Sequence, residues 1–313
     1  MAWKTKGLLC LLVVVLLCQT ACGKTHSNRI KEANDIQISQ KTNWKETPER
    51  LVVTSMATAY LMEKLELDLV GIPDSEVDKT PAVYKDAVKV GSAMTPDMEI
   101  IRSLQPTYVF SPISLVGDLK PRYDQAGLDY GFVNLSNVDG MYHSLEDLGK
   151  LLNREKEAQV LVREYEEFLS TYQAKHSKKE KKKVLILMGL PGSYVVATDN
   201  SYVGSLVKMA GGENVYPTGD GPFLNVNIED MLKKEPDIIL RTAHALPDDV
   251  MAMFDKEFKE NDNWKHFKAV KTGKVYDLDH QKFGMSAKFN YRDALSDLEE
   301  ILYDEENKDK NNT

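Results

Sequence analysis

Two segments, EIIRSLQPTYVF (residues 99–110) and EDMLKKEPDIIL (residues 229–240), share one pattern. Each runs from a glutamate through a short helical stretch to a proline seven residues later, and then into an apolar run. A proline disfavours helix in the residue before it, and a short apolar run bounded in this way is typical of a buried strand. The shared spacing predicts two lobes of α/β type related by a pseudo-repeat.

Outward from these segments, short apolar runs alternate with helical stretches in both halves. The alternation indicates βα units and an α/β fold with mostly parallel sheets. Residues 54–67 are predicted as a helix, and the predicted strands are 51–53, 69–72, 108–110, 131–133, 184–188, 194–196, 238–240 and 275–278. Between the halves, the apolar positions over 145–176 fit a helical stripe with no proline. One long, rigid helix is therefore expected to join the lobes.

The start of the chain has the pattern of an export signal. Lys4 and Lys6 precede an apolar run, residues 8–17, that is shorter than the roughly 20 residues needed to span a bilayer. Small residues then lead to Cys22, which predicts a lipoprotein signal at 1–22 and lipidation at Cys22. Gln19 stands where such signals usually carry leucine, so an ordinary signal peptide cut nearby is the alternative. We expect the mature protein on the extracellular face of the cell membrane, held only by its lipid.

The remaining boundaries follow from composition. Residues 23–49 are polar and are expected to form a flexible tether, and 304–313 a disordered tail. The lobes are expected at 50–144 and 177–303, on either side of a linking helix at 145–176. The three cysteines all lie in the leader, so the body depends on its core and not on disulfides. A net charge of −8 argues against nucleic-acid binding.

Known catalytic motifs are missing from the sequence. Residues 189–193 (GLPGS) do not form the G-x-S-x-G nucleophile elbow, and residues 272–274 (TGK) lack the upstream glycine of a phosphate-binding loop. There is no H-E-x-x-H, and the six histidines are dispersed. We therefore expect a binding protein and not an enzyme, with a lipid-anchored α/β enzyme as the less favoured hypothesis.

Two loop residues have ligand chemistry. Met94 lies between a predicted strand and a predicted helix, and His244 comes after the predicted strand 238–240, which follows Pro236. Open α/β sheets bind ligands at strand ends, so facing lobes would bring the two side chains to one cleft. A thioether and an imidazole together suit a haem iron engaged in carriage. The alternatives are that Met94 packs in a core and that His244 is a surface or capping residue.

The body resembles the periplasmic-binding-protein class that serves ABC importers of siderophores, cobalamin and haem. The resemblance rests on residues 50–53, 65–71, 104–106, 210–214 and 236–240. More closely, residues 184–205, 256–271 and the loops around Met94 and His244 are similar to the haem-receptor lipoproteins of the iron-regulated surface determinant (Isd) system. The resemblance implies a class III substrate-binding fold with Met94 and His244 binding iron from opposite lobes.

The same resemblance implies the ligand and its contacts. The ligand would be haem b (iron protoporphyrin IX), with propionates at the turn Thr54, Ser55, Met56, Ala57 and at Lys79. A helix that begins at this turn favours anions, although Thr54 or Ser55 could simply cap it. Met98 and Met285 are alternative sulfur ligands to Met94. The candidate pocket walls are Tyr194, Tyr202, Val203 and Phe283.

The implied partners are haem, an ABC permease and haem-donating cell-surface proteins, and we expect a monomer. In the family, acidic residues on each lobe meet permease arginines. Asp118 and Asp248 each lie twelve residues past their lobe's repeat proline and are, with Asp249, the candidate docking residues. Glu99 and Glu229 are the alternatives. A receptor for a ferric siderophore or cobalamin is the alternative function on the same fold.

Overall fold

The computed structural model describes residues 50–75, 78–219, 221–225 and 227–310, together with the two-residue strand at 37–38. For residues 37–38 and 304–310 only the backbone is described. The predicted signal, Cys22 and most of the predicted tether lie outside the described residues. Within those residues, none of the helices has the length and apolar character needed to cross a membrane.

The N-terminal lobe is a six-stranded sheet with helices between its strands. Strand order is β1-β6-β5-β2-β3-β4, and every pairing is parallel except that of β1 with β6. The elements are β1 (Gln37–Ile38), β2 (Leu51–Val53), α1 (Met56–Lys64), β3 (Leu69–Ile72), β4 (Val88–Lys89), α2 (Met98–Ser103), β5 (Tyr108–Pro112), α3 (Val116–Ala126) and β6 (Tyr130–Val133). All four predicted strands are confirmed, and α1 is shorter than predicted.

Two successive helices leave this lobe, α4 (Val138–Leu151) and α5 (Glu155–His176). The prediction of one continuous helix over 145–176 is wrong, because Asn153 adopts a left-handed backbone with φ of 56° and interrupts it. Asparagine tolerates this conformation better than most residues. The long helix of the fold is thus α5, about 33 Å from end to end. A Cβ on Gly149 would lie 2.6 Å from the Ala158 Cβ, so the two helices pack closely at the break.

The C-terminal lobe contains a second six-stranded sheet. Its strands follow the order β10-β8-β7-β11-β12, with β9 also paired to β7; β7, β9, β11 and β12 run parallel, whereas β8 pairs antiparallel with both neighbours. The elements are β7 (Lys183–Leu190), β8 (Ser193–Ala197), α6 (Tyr202–Met209), β9 (Glu213–Asn214), β10 (Phe223–Leu224), α7 (Ile228–Lys233), β11 (Ile238–Ala243), α8 (Pro247–Glu260), α9 (Lys268–Lys271), β12 (Val275–Asp277) and α10 (Tyr291–Lys310). The predicted strands of this half are confirmed.

The predicted disordered tail is wrong for residues 304–310, since α10 continues through Lys310. The residues of this stretch are mostly acidic or lysine, and Glu and Lys are good helix formers. Residues 311–313 lie outside the described residues.

The pseudo-repeat recurs in the backbone. Asp97 caps α2 by accepting from the Glu99 and Ile100 amides, and Asn227 caps α7 by accepting from the Asp230 amide. The residues before the repeat prolines, Gln105 and Glu235, have φ of 46° and 51°. Each lobe therefore passes from a six-residue helix into its central strand through a turn with a left-handed residue before the proline.

A shared core joins the lobes. Tyr142 of α4 stacks on Tyr165 of α5 with ring centroids 4.2 Å apart, and Tyr291 of α10 meets both rings edge-on. The same buried cluster contains Leu51 from β2 and Ile186 from β7. Since one apolar core spans both lobes and the helices between them, we expect little movement of one lobe against the other.

Candidate functional site

On the N-terminal side, the site begins where β2 passes into α1. Ser55 caps the helix, its hydroxyl accepting from the Thr58 amide at 3.2 Å. Thr54 is fully buried and its hydroxyl is 2.7 Å from that of Ser111. Ser55, Met56 and Ala57 at the start of α1 line the cleft, and the start of a helix is the end that favours negative charge.

Met94 lies at the tip of a short turn between β4 and α2. Gly91 pairs with Pro96 across the base, and the Thr95 amide donates to the Ser92 carbonyl at 3.2 Å. The Asp97 amide closes the turn by donating to the Val90 carbonyl at 2.8 Å. Met94 itself is 65% exposed. A fixed turn thus presents a thioether that packs in no core.

His244 is the first residue after β11, and its amide donates to the Gly189 carbonyl on β7 at 3.0 Å. Two residues later Leu246 has φ of 45°, a conformation rare for leucine, and Pro247 starts α8. This sharp turn leaves the imidazole exposed at the carboxyl edge of the sheet. Desolvation by the surrounding protein lowers the pKa of His244, which favours the neutral form that binds metals.

The two lobes enclose a hollow of about 230 Å³ between these loops. Its described lining includes Ser55, Met56, Ala57, Pro73, Asp74, Ser75, Asp78 and Ala93 from the N-terminal lobe, and His244, His280, Gly284, Met285, Ser286 and Lys288 from the C-terminal lobe. We call this space the interlobe cavity. Ala93 precedes Met94, so the methionine turn and the histidine loop border the same cavity.

The structure brings together five of the predicted contact residues in this lining: Ser55, Met56, Ala57, His244 and Met285. Lys79 instead lines a neighbouring hollow of about 350 Å³. The two hollows share Asp78 and Lys288, whose carboxylate and ammonium are 2.5 Å apart. This ion pair connects the lobes at the boundary between the hollows.

The predicted pocket walls belong to the interior. Tyr202, Val203 and Phe283 are at most 1% exposed and belong to the shared core, so the prediction that they line the pocket is wrong. Tyr194 packs against Phe254 and Trp264 within the C-terminal lobe and is likewise outside the cavity lining. Aromatic residues near strand ends have the same sequence pattern whether they pack inward or face a ligand. Thr54 is also a core residue.

The alternative sulfur ligands differ in their surroundings. Met98 is half-buried at the start of α2 and packs against the N-terminal lobe's own core. Met285 is 36% exposed and lines the cavity, so it remains available to a ligand.

Sequence reasoning missed His280, Asp78 and Lys288. The signal for His280 is its place two residues after the predicted strand 275–278, on a loop that follows a strand, as the loop of His244 does. Recognising that signal requires knowing that β12 and β11 are neighbours.

The predicted docking carboxylates are exposed at helix starts. Asp118 lies in the first turn of α3, and Asp248 and Asp249 in the first turn of α8. The alternatives Glu99 and Glu229 are exposed in the first turns of α2 and α7. Helices α3 and α8 begin after the carboxyl ends of the central strands β5 and β11. Helices α2 and α7 precede these strands and lead back to their amino ends. All four helices therefore begin at the carboxyl edges of the sheets. Negative charge at a helix start is also stabilising in itself.

Comparison with known proteins identifies relatives over nearly the whole chain. The chain is 38% identical to the high-affinity heme uptake system protein IsdE of Staphylococcus aureus (strain Newman) over 296 residues, which cover 94% of this chain and 97% of the relative. The crystal structure of S. aureus IsdE complexed with heme is 41% identical, with a TM-score of 0.78, covering 82% of this chain and all of that one. An ABC transporter substrate-binding protein from Listeria monocytogenes EGD-e is 44% identical, with the same TM-score and coverage. Residues 51–282 match the sequence model of the family described as "Periplasmic binding protein", and the chain belongs to that family.

Proposed function

We propose that the chain is a membrane-anchored receptor that binds haem and delivers it to an ABC permease for iron uptake. Membership of the periplasmic binding protein family makes it a substrate carrier and not an enzyme. The observation that carries the haem proposal is the cavity between the lobes, bordered by the Met94 turn and lined by His244, in a chain 41% identical to a protein solved with heme.

Met94 and His244 are the proposed axial ligands of the iron. They come from opposite lobes, and each is presented on a short turn that follows a strand. A neutral imidazole is the stronger ligand for ferric haem and the thioether the weaker. Such a six-coordinate iron has no open position for oxygen chemistry, which suits transport.

The cavity also suits the rest of the porphyrin. Met56, Ala57 and Met285 offer apolar and thioether surface, and the start of α1 offers amides and positive dipole to a carboxylate. Lys79 lines the neighbouring hollow and Lys288 lies on the shared boundary, so both are candidate cations for the propionates. We propose that the propionates lie toward this side.

A ferric siderophore or cobalamin receptor is the alternative on the same fold. Anionic iron–siderophore complexes call for several cations around the ligand. Among the described lining residues of the interlobe cavity, Lys288 is the one lysine or arginine, and Asp78 neutralises it. Two histidines and two methionines in the same lining favour a metal-centred ligand instead.

Membrane attachment and docking complete the proposal. The leader ending at Cys22 supports lipid anchoring at the outer face of the membrane. The exposed acidic side chains at the carboxyl edges, Asp118, Asp248 and Asp249 with Glu99 and Glu229 as alternatives, support docking on permease arginines. We further propose that haem arrives from cell-surface donor proteins and that the receptor acts as a monomer.

The test is haemin titration of the purified protein, followed by absorption and magnetic circular dichroism. We expect a low-spin ferric spectrum with nitrogen and thioether ligands. His244→Ala should lower affinity more than Met94→Ala, because the imidazole is the stronger ligand. If the double variant kept the wild-type affinity and spectrum, the ligand assignment would fail.

A further inference from the structure

We propose that His280 is a second nitrogen ligand for the iron of the same porphyrin, placed beside His244 on the C-terminal wall of the interlobe cavity. The inference rests on the proposed function. It adds a residue that takes over from His244 and so gives the cargo two imidazole positions within one site.

Strand register brings together the two segments that carry the histidines. Strands β11 and β12 are parallel neighbours, with Arg241 opposite Asp277 as the last registered pair. Three residues further along each chain are His244 and His280. Neighbouring strands lie about 4.8 Å apart, so both chains leave the carboxyl edge of the sheet side by side.

The turn that carries His280 is fixed to the strand that carries His244. The Phe283 and Lys282 amides both donate to the Asp279 carbonyl, at 2.9 and 3.0 Å. The Phe283 carbonyl accepts from the Thr242 hydroxyl of β11 at 2.9 Å. Both imidazoles are thus positioned by one hydrogen-bonded unit, and both line the same cavity.

The surroundings leave the His280 ring available. Its side chain is 28% exposed, and the nearest carboxylate oxygen, on Asp279, is 3.9 Å from Nδ1, beyond hydrogen-bond distance. Other histidines within the described ranges have different places: His143 and His176 are buried in α4 and α5, and His266 is exposed at the opposite end of the C-terminal sheet. Among the histidines in the described ranges, His244 and His280 are therefore the two that line the interlobe cavity.

Because His244 and His280 share a wall, His280 replaces His244 and not Met94, which comes from the other lobe. In the exchange one iron–nitrogen bond breaks as another forms. An imidazole binds iron as a neutral ligand, so exchanging one for the other leaves the charge and oxidation state of the iron unchanged and requires no further reactant. Such an exchange lets the cargo shift toward one side of the cleft without losing its nitrogen ligand, a step useful in release.

The test compares His244→Ala with the double variant His244→Ala/His280→Ala, using ferric protoporphyrin IX and iron-free protoporphyrin IX as probes. His266→Ala is the matched control, since it removes an exposed imidazole far from the cavity. We expect His244→Ala to keep a nitrogen-ligated low-spin signal in magnetic circular dichroism. The double variant should lose that signal and bind ferric protoporphyrin about tenfold or more weakly than His244→Ala, which corresponds to about 1.4 kcal/mol.

Binding of iron-free protoporphyrin should be the same in both variants, because that probe has the propionates and the apolar faces but no iron. Equal spectra and affinities for the single and double variants would overturn the inference. A loss of iron-free porphyrin binding on adding His280→Ala would also overturn it, since His280 would then contact a propionate or pack against the ring. His280→Phe in the His244→Ala background retains the ring volume without a nitrogen and should behave as the alanine does. Failure of the wild-type protein to give a low-spin spectrum would instead refute the proposed function.

Discussion

The ion pair between Lys288 and Asp78 should couple the two lobes energetically. It joins a loop after β3 to the segment before α10, across 210 residues of sequence, at the edge of the interlobe cavity. The Lys288 and Asp78 side chains are only 13% and 22% exposed. The perturbation is a double-mutant cycle of Lys288→Met and Asp78→Asn.

The magnitude follows from Coulomb's law and desolvation. Two unit charges about 4 Å apart attract by about 4 kcal/mol at an effective dielectric of about 20. Removing both charges from water offsets much of this gain. The exposure that remains places the pair between a surface and a buried ion pair, so we expect a coupling free energy of about 1–2 kcal/mol. Each single substitution should lower the free energy of unfolding by more than this coupling free energy, because it leaves its partner unpaired in a partly buried site.

The assay is urea unfolding of the wild type, both single variants and the double variant, at low and high salt. The coupling should persist largely at high salt because the pair is shielded from solvent. Lys265 and Asp262 provide a matched control: their charged atoms are 2.9 Å apart, but the side chains are 59% and 85% exposed, and their coupling should be at most about 0.5 kcal/mol. A Lys288–Asp78 coupling no larger than that of the control pair would refute the reasoning.

Three further predictions follow from the site and the core. Haem affinity should hold through the ordinary titration range of histidine and fall only at lower pH, because burial lowers the pKa of His244 and protonation removes the lone pair that binds iron; titrations with the double variant His244→Ala/His280→Ala should lack this dependence. Charge reversal at both Asp118 and Asp248 should abolish haem-dependent stimulation of the permease in reconstituted vesicles while haem affinity stays within about twofold, since both side chains are exposed outside the cavity lining. Tyr165→Ala should lower the free energy of unfolding by about 3–5 kcal/mol in denaturant titrations, because the ring is 1% exposed and stacked on Tyr142.

The strands were predictable because buried parallel strands are continuous apolar runs with clear boundaries. Residues 184–188 and 238–240 have this form, and they pair with each other at the centre of the C-terminal sheet. The ends of the repeat helices were also accessible, since a proline disfavours helix in the residue before it. The left-handed backbone of Gln105 and Glu235 was not, because a proline favours extended backbone at that position. The break at Asn153 was not, because asparagine is compatible with both a helix interior and a left-handed turn, and only the packing of α4 on α5 selects the turn.

The place of His244 in the cavity lining was predictable, because its residue type and its position after a buried strand both indicate a ligand-binding edge. Other parts of the site were not predictable, because there the sequence gives only the residue type. Tyr202 and Phe283 have the composition of a pocket wall, but the junction between the lobes uses them as core. Lys288 and Asp78 become a pair only when the lobes are assembled, and nothing local links them.

The repeat explains why docking and ligand binding would use different parts of the fold. Glu99 and Glu229 occupy equivalent places in the two lobes, as do Asp118 and Asp248, so the acidic side chains form two matched sets that suit a partner with two equivalent surfaces. The proposed iron ligands break the equivalence, because Met94 precedes the repeat helix of its lobe whereas His244 follows the repeat strand of the other. An iron with two different axial ligands requires that asymmetry. The permease would therefore contact the acidic side chains that repeat in both lobes, and the haem would be bound by the loops that differ between the lobes.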